Sequence, residues 1–386
     1  MVTFQKTHPW LTFNINLDRL GYEIWIQLGQ VQAICEYISG IPLHPDVQAH
    51  LHSVFLAKGV HATTAIEGNT LSEAQVQDRI NGKLKLPASQ EYLGIEVDNI
   101  LYGCNEIKQM VMNGETRRLS FDEILKYNRI VLTNLPIEDG NPGEIRKHSV
   151  GVGRYLGAPP ADCEHLLREM CEWLNRDEFL SQKQLIVFGL IRAVLAHIYI
   201  AWIHPFADGN GRTARLVEFN IMLVHGLPSS TAHLLSNHYN KTRSEYYRQL
   251  DYASKSGGDV IPFIRYAVEG LVDGLKDQVA VIQSEQIRIT WRNFIYDQFK
   301  DKAGIVSERK RKLILDISQN PNQAVTLKEM RHITPRIAEM YAGKTDIAIR
   351  RDLKTLMQMN LLKWEKGKYI SNWHQILSFM PERKNT

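Results

Sequence analysis

Apolar residues recur three and four positions apart through most of this chain, which is the spacing of one buried face of an α-helix. The segment 182–203 is apolar almost all round, which predicts a buried central helix. Gly40 and Pro42 end the first long helical pattern. The sequence therefore predicts a mostly α fold, with helices near 22–39, 47–66, 91–111, 121–131, 162–175, 182–203, 243–254 and 261–283.

The helical spacing stops between residues 135 and 160, a segment with five glycines and four prolines. Short β-like runs at 149–150 and 155–156 predict a β-hairpin here, with a plain loop between helices as the alternative. A second break at 79–87 predicts a turn or a short hairpin.

Residues 301–386 differ in character from the rest of the chain. Their pattern predicts three helices followed by two strands that turn at Lys366-Gly367. The third helix has a buried stripe flanked by basic residues: Ile349, Leu353, Leu356 and Met357 form the stripe, and Arg350, Arg351 and Lys354 lie beside it. This order resembles a winged-helix module, whose third helix often enters the major groove of DNA.

The charge is unevenly distributed. Residues 301–386 hold 17 Lys+Arg and 9 Asp+Glu, whereas the remainder holds 29 and 33. A basic end on a mildly acidic body favours an acidic partner, for which DNA is one candidate. Contacts with another protein, including a homodimer, are the open alternative for the same module.

With 386 residues the chain is long enough for two or three domains, and its 44% apolar and 23% charged residues are typical of a globular protein. No run of about 18 apolar residues appears, so no membrane span is expected. The N-terminus lacks the pattern of a secretory signal. Four cysteines without a CxxC pair predict buried free thiols in a reducing cytoplasm: Cys35, Cys104, Cys163 and Cys171.

The strongest chemical signal is residues 204–215, HPFADGNGRTAR, directly before an apolar helical pattern. Glycines let the backbone approach a ligand, and the N–H groups of a first helical turn attract anions. Arg212 and Arg215 add donors that match phosphate geometry. These residues predict a phosphate-binding turn with the His204 imidazole at its edge. A Gly-Asn-Gly surface turn is the plainer alternative.

The same twelve residues match HPFxDGNGRxxR, the signature of the Fic family, so the chain resembles a Fic adenylyltransferase. The resemblance implies a Fic-type helical bundle in which the hairpin at 143–155 is a flap that docks a target protein. It implies transfer of AMP from ATP to a Ser, Thr or Tyr hydroxyl, with His204 as the base. One departure is Ile200-Ala201, where many family members carry Phe-Glu.

The resemblance also assigns groups that bind ATP and Mg²⁺. Asp208 would hold Mg²⁺ between the α- and β-phosphates, although its position also suits a helix N-cap. The remaining assignments are an anion hole at Gly209, Asn210 and Gly211, the β-phosphate at Arg212, the γ-phosphate at Arg215, adenine beside Tyr246 and Tyr247, and flap cover from Val152 and Gly153. His197 is interpreted as a packed core histidine.

A second motif precedes the first by about 140 positions. Residues 63–69, TTAIEGN, resemble the Fic inhibitory motif (S/T)xxxE(G/N), with Thr63, Glu67 and Gly68 at its fixed positions. The resemblance implies that Glu67 pairs with Arg215 and keeps it from the γ-phosphate. A solvated acid at a helix C-terminus is the alternative interpretation.

These patterns divide the chain into 1–112 with the inhibitory helix at about 47–68, a catalytic core at 113–300, and a small α+β winged-helix domain at 301–386. Autoinhibited AMP transfer is the leading hypothesis. The alternatives are a Fic fold that uses another nucleotide donor, removal of AMP by the same site, and a nucleotide-sensing, DNA-binding regulator.

Overall fold

A computed structural model describes residues 3–114, 118–152, 155–180, 185–320 and 322–377, with the backbone alone at Val152. The chain divides into two compact units, Met1–Val279 and Ala280–Thr386. The residue at which they divide lies within one long helix, Ile261–Gln298.

The first unit is mostly helical, as the spacing of apolar residues predicts. Its helices are α1 (Phe4–Thr7), α2 (Gly21–Gly40), α3 (Pro45–Ala65), α4 (Glu73–Ile80), α5 (Glu91–Met112), α6 (Phe121–Val131), α7 (Cys163–Leu174), α8 (Leu185–Ile203), α9 (Asn210–Val224), α10 (Leu234–Lys241), α11 (Arg243–Lys255) and the start of α12 (Ile261–Gln298). At 79–87 the chain leaves α4 by a turn, so the turn and not the short hairpin is present.

The centre of this unit is α8, which packs against α9. The sequence contains no uninterrupted apolar run of about 18 residues, but this helix comes close to one. Leu185–Ile203 is long and apolar enough to cross a membrane by length and composition, because only Arg192 and His197 interrupt it. However, 83% of that stretch is buried inside the protein, as in a core helix.

Helix α3 carries the residues of the second motif. Its C-terminal end is followed by Gly68, whose φ of +100° is a conformation that favours glycine. Earlier in the helix, Gly59 lies directly against His233, which immediately precedes α10, so that a Cβ at this position would overlap the imidazole ring. The helix is therefore held in contact with α10, and Glu67 follows it in a turn.

The predicted hairpin is present between α6 and α7. Strand β1 (Gly151–Val152) pairs antiparallel with β2 (Tyr155–Leu156), in the register Gly151–Leu156 and Val152–Tyr155. The first strand thus lies two residues after the expected run at 149–150. Gly153, which connects the strands, lies outside the described residues.

The second unit contains the end of α12, then α13 (Ile305–Ile317), α14 (Leu327–Met330), α15 (Pro335–Met340) and α16 (Asp346–Gln358), followed by β3 (Leu362–Glu365) and β4 (Lys368–Ser371). The hairpin turns at Lys366 and Gly367, as predicted, and both have positive φ, +49° and +83°. Two such residues match the right-handed twist of the flanking strands.

The core of the second unit contains the predicted stripe. Ile349, Leu353 and Leu356 are buried, whereas Met357 is only partly buried. Arg350, Arg351 and Lys354 on the same helix are exposed. The four cysteines of the chain are buried and free, as predicted.

Candidate active site

His204 directly follows α8 and has a φ of +49°, in the left-handed region that side chains other than glycine rarely adopt. Arg146 supports this backbone. Its Nε donates to the His204 carbonyl at 2.7 Å, and its main-chain N–H donates to the Pro205 carbonyl at 3.0 Å. The surrounding structure therefore holds His204 in one orientation.

The His204 imidazole is set up to accept a proton. Its Nδ1 lies 3.4 Å from the Ala201 carbonyl, which favours a proton on Nδ1 and a lone pair on Nε2. Burial lowers the pKa of His204 to about 4, against an ordinary value of 6.5. The ring is consequently neutral near pH 7.

Helix α9 begins next to this histidine. Gly209 has a φ of +77°, and the first bond of the helix runs from the Thr213 N–H to the Gly209 carbonyl at 2.8 Å. The N–H groups of Asn210, Gly211 and Arg212 precede that bond and have no acceptor within the helix. They form the positive end of the helix dipole, which suits an anion.

The Asn210 side chain holds the loop before α9. Both ends of the Asn210 carboxamide are used by Phe206, since Oδ1 accepts from its N–H at 2.9 Å and Nδ2 donates to its carbonyl at 2.8 Å. The side chain of Asn210 therefore fixes the loop, and its main-chain N–H has no acceptor within the helix.

Arg215 lies on α9 one turn into the helix and is 3% exposed. Its Nη2 is 2.6 Å from Glu67 Oε1 and also donates to the Thr63 carbonyl at 2.9 Å. Its Nε and Nη1 are buried without a hydrogen-bond partner among the described residues. Two nitrogens of this guanidinium are therefore unsatisfied among the described residues, in addition to Nη2, which bonds to Glu67 and Thr63.

The charge on Glu67 depends on this pair. Burial alone would raise the pKa of the Glu67 carboxyl, but the adjacent Arg215 and then Arg212 outweigh it and hold the pKa below its ordinary value. Glu67 Oε1 also occupies the space next to Gly211 that a Cβ would need. The ionised carboxylate thus lies directly on the start of α9.

Arg212 is held from two sides. Its Nη1 is 2.7 Å from Glu96 Oε1, and its Nη2 is 3.2 Å from Asp208 Oδ2. Glu96 also accepts from Asn69 Nδ2 at 2.8 Å. Sequence reasoning gave Glu96 no role, because it lies on α5, 116 positions from Arg212.

Asp208 has a carboxylate that is 52% exposed. Helix α9 is capped by Gly209 and shows no side-chain cap, so the N-cap alternative for Asp208 was wrong. The described residues contain no group of three or more side chains that could hold a metal ion. A single exposed carboxylate next to the start of α9 still fits Mg²⁺, which takes one or two carboxylates together with substrate phosphates.

A cavity of ≈ 520 Å³ opens beside these groups. Its wall brings both motifs together, and its lining includes Glu67, Tyr155, His204, Gly211, Tyr246 and Tyr247. Tyr246 is 3% exposed, and its hydroxyl lies 2.8 Å from His197 Nε2, which is itself fully buried. His197 is therefore a core residue, as interpreted from the sequence.

The hairpin contacts this cavity through Tyr155, whose hydroxyl donates to the Trp202 carbonyl at 2.6 Å. Asn128 joins the segment before the hairpin to the helix start. Its Oδ1 accepts from the Gly143 N–H at 2.9 Å, and its Nδ2 donates to the Asp208 carbonyl at 3.0 Å. Neither Asn128 nor the role of Arg146 was evident from the sequence, because their partners are distant in it.

Residues 118–222 match the family model described as the Fic/DOC family. These residues form a Fic domain. The domain includes His204 and the start of α9, whereas Glu67 and Glu96 precede it in the chain.

The protein adenylyltransferase fic-1 of Caenorhabditis elegans is 33% identical to this chain over 216 residues, which cover 54% of this chain and 38% of that protein. The protein adenylyltransferase Fic of Drosophila ananassae is 29% identical over 216 residues, which cover 54% and 39%. The chain therefore matches well under half of the length of these relatives.

Solved Fic structures have a similar fold. Fic-1 from Caenorhabditis elegans aligns with a TM-score of 0.56 at 28% identity, covering 68% of this chain and 73% of that chain. A Fic family protein from Desulfovibrio desulfuricans aligns with a TM-score of 0.57 at 18% identity, covering 91% and 96%. At 18% identity, the similarity to the Desulfovibrio desulfuricans protein shows a similar fold only.

Proposed function

We propose that this chain is a protein adenylyltransferase, which transfers AMP from ATP to a Ser, Thr or Tyr hydroxyl of a target protein. The observation that carries the proposal is one cavity that joins a neutral His204 to the open start of α9. The names of the relatives support the same activity.

In the proposed reaction, His204 Nε2 takes the proton of the target hydroxyl. The hydroxyl oxygen bonds to the α-phosphorus as the bond from that phosphorus to the bridging oxygen breaks, and pyrophosphate leaves. The N–H groups of Asn210 and Gly211 would hold phosphate oxygens during this step. Arg212 and Arg215 would neutralise the β- and γ-phosphates.

Asp208 is the residue proposed to hold Mg²⁺, and a bound Mg²⁺ would supply charge neutralisation for the leaving phosphates. The side chain is exposed enough to turn toward a ligand. Tyr246 and Tyr247 are proposed to lie beside adenine, since both line the cavity next to the helix start. Val152 and Gly153 remain proposed flap contacts, and the main chain of Val152 is at the edge of the two-stranded hairpin.

We also propose that Glu67 inhibits the reaction. In the state described here, two guanidinium groups at the start of α9 face three carboxylates: Arg212 and Arg215 against Glu67, Glu96 and Asp208. The excess of negative charge opposes a triphosphate. Loss of Glu67 would remove that excess of negative charge. It would also free Arg215 Nη2 from its contact with the carboxylate.

Intact-mass analysis of Glu67→Gly incubated with ATP and Mg²⁺ tests the function. The expected result is a mass increase by one AMP on the protein itself, which is lost in Glu67→Gly/His204→Ala. A phosphate mass, or no added mass on this protein or on any protein of a lysate supplied with α-labelled ATP, would reject AMP transfer. The same assay with CTP, GTP and UTP tests the alternative nucleotide donors.

For the second unit we propose a winged-helix domain that binds DNA. Six exposed cations lie on α16 and on the β3–β4 hairpin: Arg350, Arg351, Lys354, Lys363, Lys366 and Lys368. None of the six forms an ion pair with a residue of the described ranges, whereas Asp352 of the same helix is buried against Arg309.

Unpaired cations on one helix and an adjoining hairpin suit phosphate contacts, which make binding strongly salt-dependent. Binding of duplex DNA by the full chain should weaken steeply with salt and should weaken further in Arg350→Ala/Arg351→Ala. Unchanged binding in that variant would leave protein contact or a homodimer, checked by sedimentation, as the role of this unit. The buried free thiols are compatible with a cytoplasmic location, which we also propose.

A further inference from the structure

Glu96 connects Arg212 of the candidate site to the turn that carries Glu67. One of its oxygens, Oε1, is 2.7 Å from Arg212 Nη1. The other, Oε2, accepts from Asn69 Nδ2 at 2.8 Å. Asn69 is two residues beyond Glu67, so a single carboxylate contacts both the phosphate-binding helix and the turn behind the inhibitory contact.

We propose that Glu96 is a positioning residue for the nucleotide: it holds Arg212 in the orientation that receives the β-phosphate, and through Asn69 it anchors the turn that carries Glu67. The inference rests on the proposed function and adds to it a residue for triphosphate binding and for the strength of inhibition.

The position of Glu96 separates its role from that of Glu67. Glu67 lines the cavity and occupies space at Gly211 that is next to the proposed phosphate site. Glu96 does not line the cavity and reaches Arg212 from α5. Glu96 therefore leaves free the space that Glu67 fills beside Gly211, and its contact with Arg212 fixes an otherwise flexible side chain.

Arg212 keeps donors for a ligand while Glu96 holds it. Its Nε is buried without a hydrogen-bond partner in the part of the chain that the structure describes. Its contact with Asp208 is the longer of the two carboxylate contacts, 3.2 Å against 2.7 Å. If Asp208 turns toward a cation, Glu96 remains the partner that orients Arg212.

Asn69 provides the contact between Glu96 and the turn that carries Glu67. It is 7% exposed and uses its whole carboxamide: Nδ2 donates to Glu96 and to the Leu93 carbonyl at 3.0 Å, and Oδ1 accepts from the Leu71 N–H at 3.0 Å. The turn after α3 is therefore fixed to α5 by side-chain bonds. Removal of Asn69 should let the turn move and should weaken the hold of Glu67 on Arg215.

Nucleotide binding tests the role of Glu96 without any turnover. Calorimetric titration of Glu67→Gly and of Glu67→Gly/Glu96→Gln should use AMP, which lacks a β-phosphate, and ADP, which has one. We expect Glu96→Gln to weaken ADP binding by about tenfold, the loss of one charge-assisted contact, and to leave AMP binding unchanged. Glu91→Gln is the matched control, because Glu91 is on the same helix but pairs with Arg79.

Equal weakening of AMP and ADP would mean a general structural role, and no change in either would remove Glu96 from nucleotide binding; both results overturn the proposal. Thermal unfolding of the two variants checks that each is folded, and Glu96→Asp, which keeps the charge, should restore part of the ADP affinity.

The anchor is tested by Asn69→Ala in two backgrounds. With Glu67 present, auto-modification should rise several-fold; with Glu67→Gly it should not rise further. A rise of the same size in both backgrounds, or none with Glu67 present, contradicts the anchoring role. If Glu67→Gly itself transfers no AMP, the proposed function fails, whereas the comparison of ADP with AMP still decides the role of Glu96.

Discussion

Glu67 and Arg215 are 148 positions apart in the chain, yet Glu67 Oε1 lies 2.6 Å from Arg215 Nη2. The arginine side chain is 1% exposed and the glutamate side chain is 31% exposed. Glu67 thus lies at the wall of the cavity, whereas Arg215 is buried behind that wall. In the proposed inhibition, a phosphate and Glu67 would compete for Arg215.

The competition predicts a graded response at position 67. Glu67→Gly should raise auto-modification at least tenfold, which corresponds to about 1.4 kcal/mol. Glu67→Gln should give a smaller rise, since the amide loses the charge but still fills the space beside Gly211. Rates with labelled ATP check the order. Equal rates in the wild type and in Glu67→Gly would remove the inhibitory interpretation.

The low pKa of His204 predicts an unusual pH profile. A base must be neutral, and burial holds the pKa of His204 at about 4 instead of 6.5. The rate of AMP transfer by Glu67→Gly should therefore stay level as the pH falls through 6.5 and decline only at about pH 4 or below, because the Glu67 carboxylate, which raises the pKa of His204, is absent from this variant. A half-maximal rate near pH 6.5 would contradict this, and His204→Ala, with no rate at any pH, is the control.

The same shift affects stability with a definite sign. The folded pKa of His204 is below the ordinary value, so an unfolded chain takes up the proton first. Above pH 6.5 His204 does not change the free energy of unfolding. As the pH falls from 6.5 toward 4, that free energy declines. His233, whose pKa burial lowers to about 3, adds to the decline. Unfolding temperatures measured between these pH values check the direction.

Local pattern was enough to predict the helices and the turn at Lys366-Gly367, because each depends on residues a few positions apart. It also placed Glu67 opposite Arg215, through a resemblance of two motifs. The contacts that orient the site could not be found this way. Glu96, Asn128 and Arg146 bond to partners 116, 80 and 58 positions away, and no local spacing marks such pairs.

Asp352 predicts a large stability effect in the second unit. It is fully buried, and its Oδ2 accepts from Arg309 Nε and from the Tyr341 hydroxyl, both at 2.8 Å. Asp352→Ala should lower the free energy of unfolding by about 3 kcal/mol or more, because it leaves a buried charge without its partner. Chemical denaturation of the full chain measures the loss.

Asp346→Ala is the control for that variant. Asp346 pairs with Arg331 through a side chain that is 65% exposed, so its removal should cost no more than about 1 kcal/mol. Similar losses in the two variants would mean that the contacts of Asp352 do not stabilise the unit as proposed.

Gly59 predicts a link between packing and inhibition. A Cβ at Gly59 would overlap Cβ and Cγ of His233. Atoms this close to the backbone cannot move aside easily. Gly59→Ala should therefore cost about 1–3 kcal/mol and shift α3 away from α10. Because Glu67 follows α3 directly, the shift should also raise auto-modification when Glu67 is present.

Gly29→Ala is the matched control: Gly29 is in α2 with no atom within 4 Å of its added Cβ. It should stabilise the protein by up to about 1 kcal/mol and leave the rate unchanged. A stable Gly59→Ala with the wild-type rate would contradict the link.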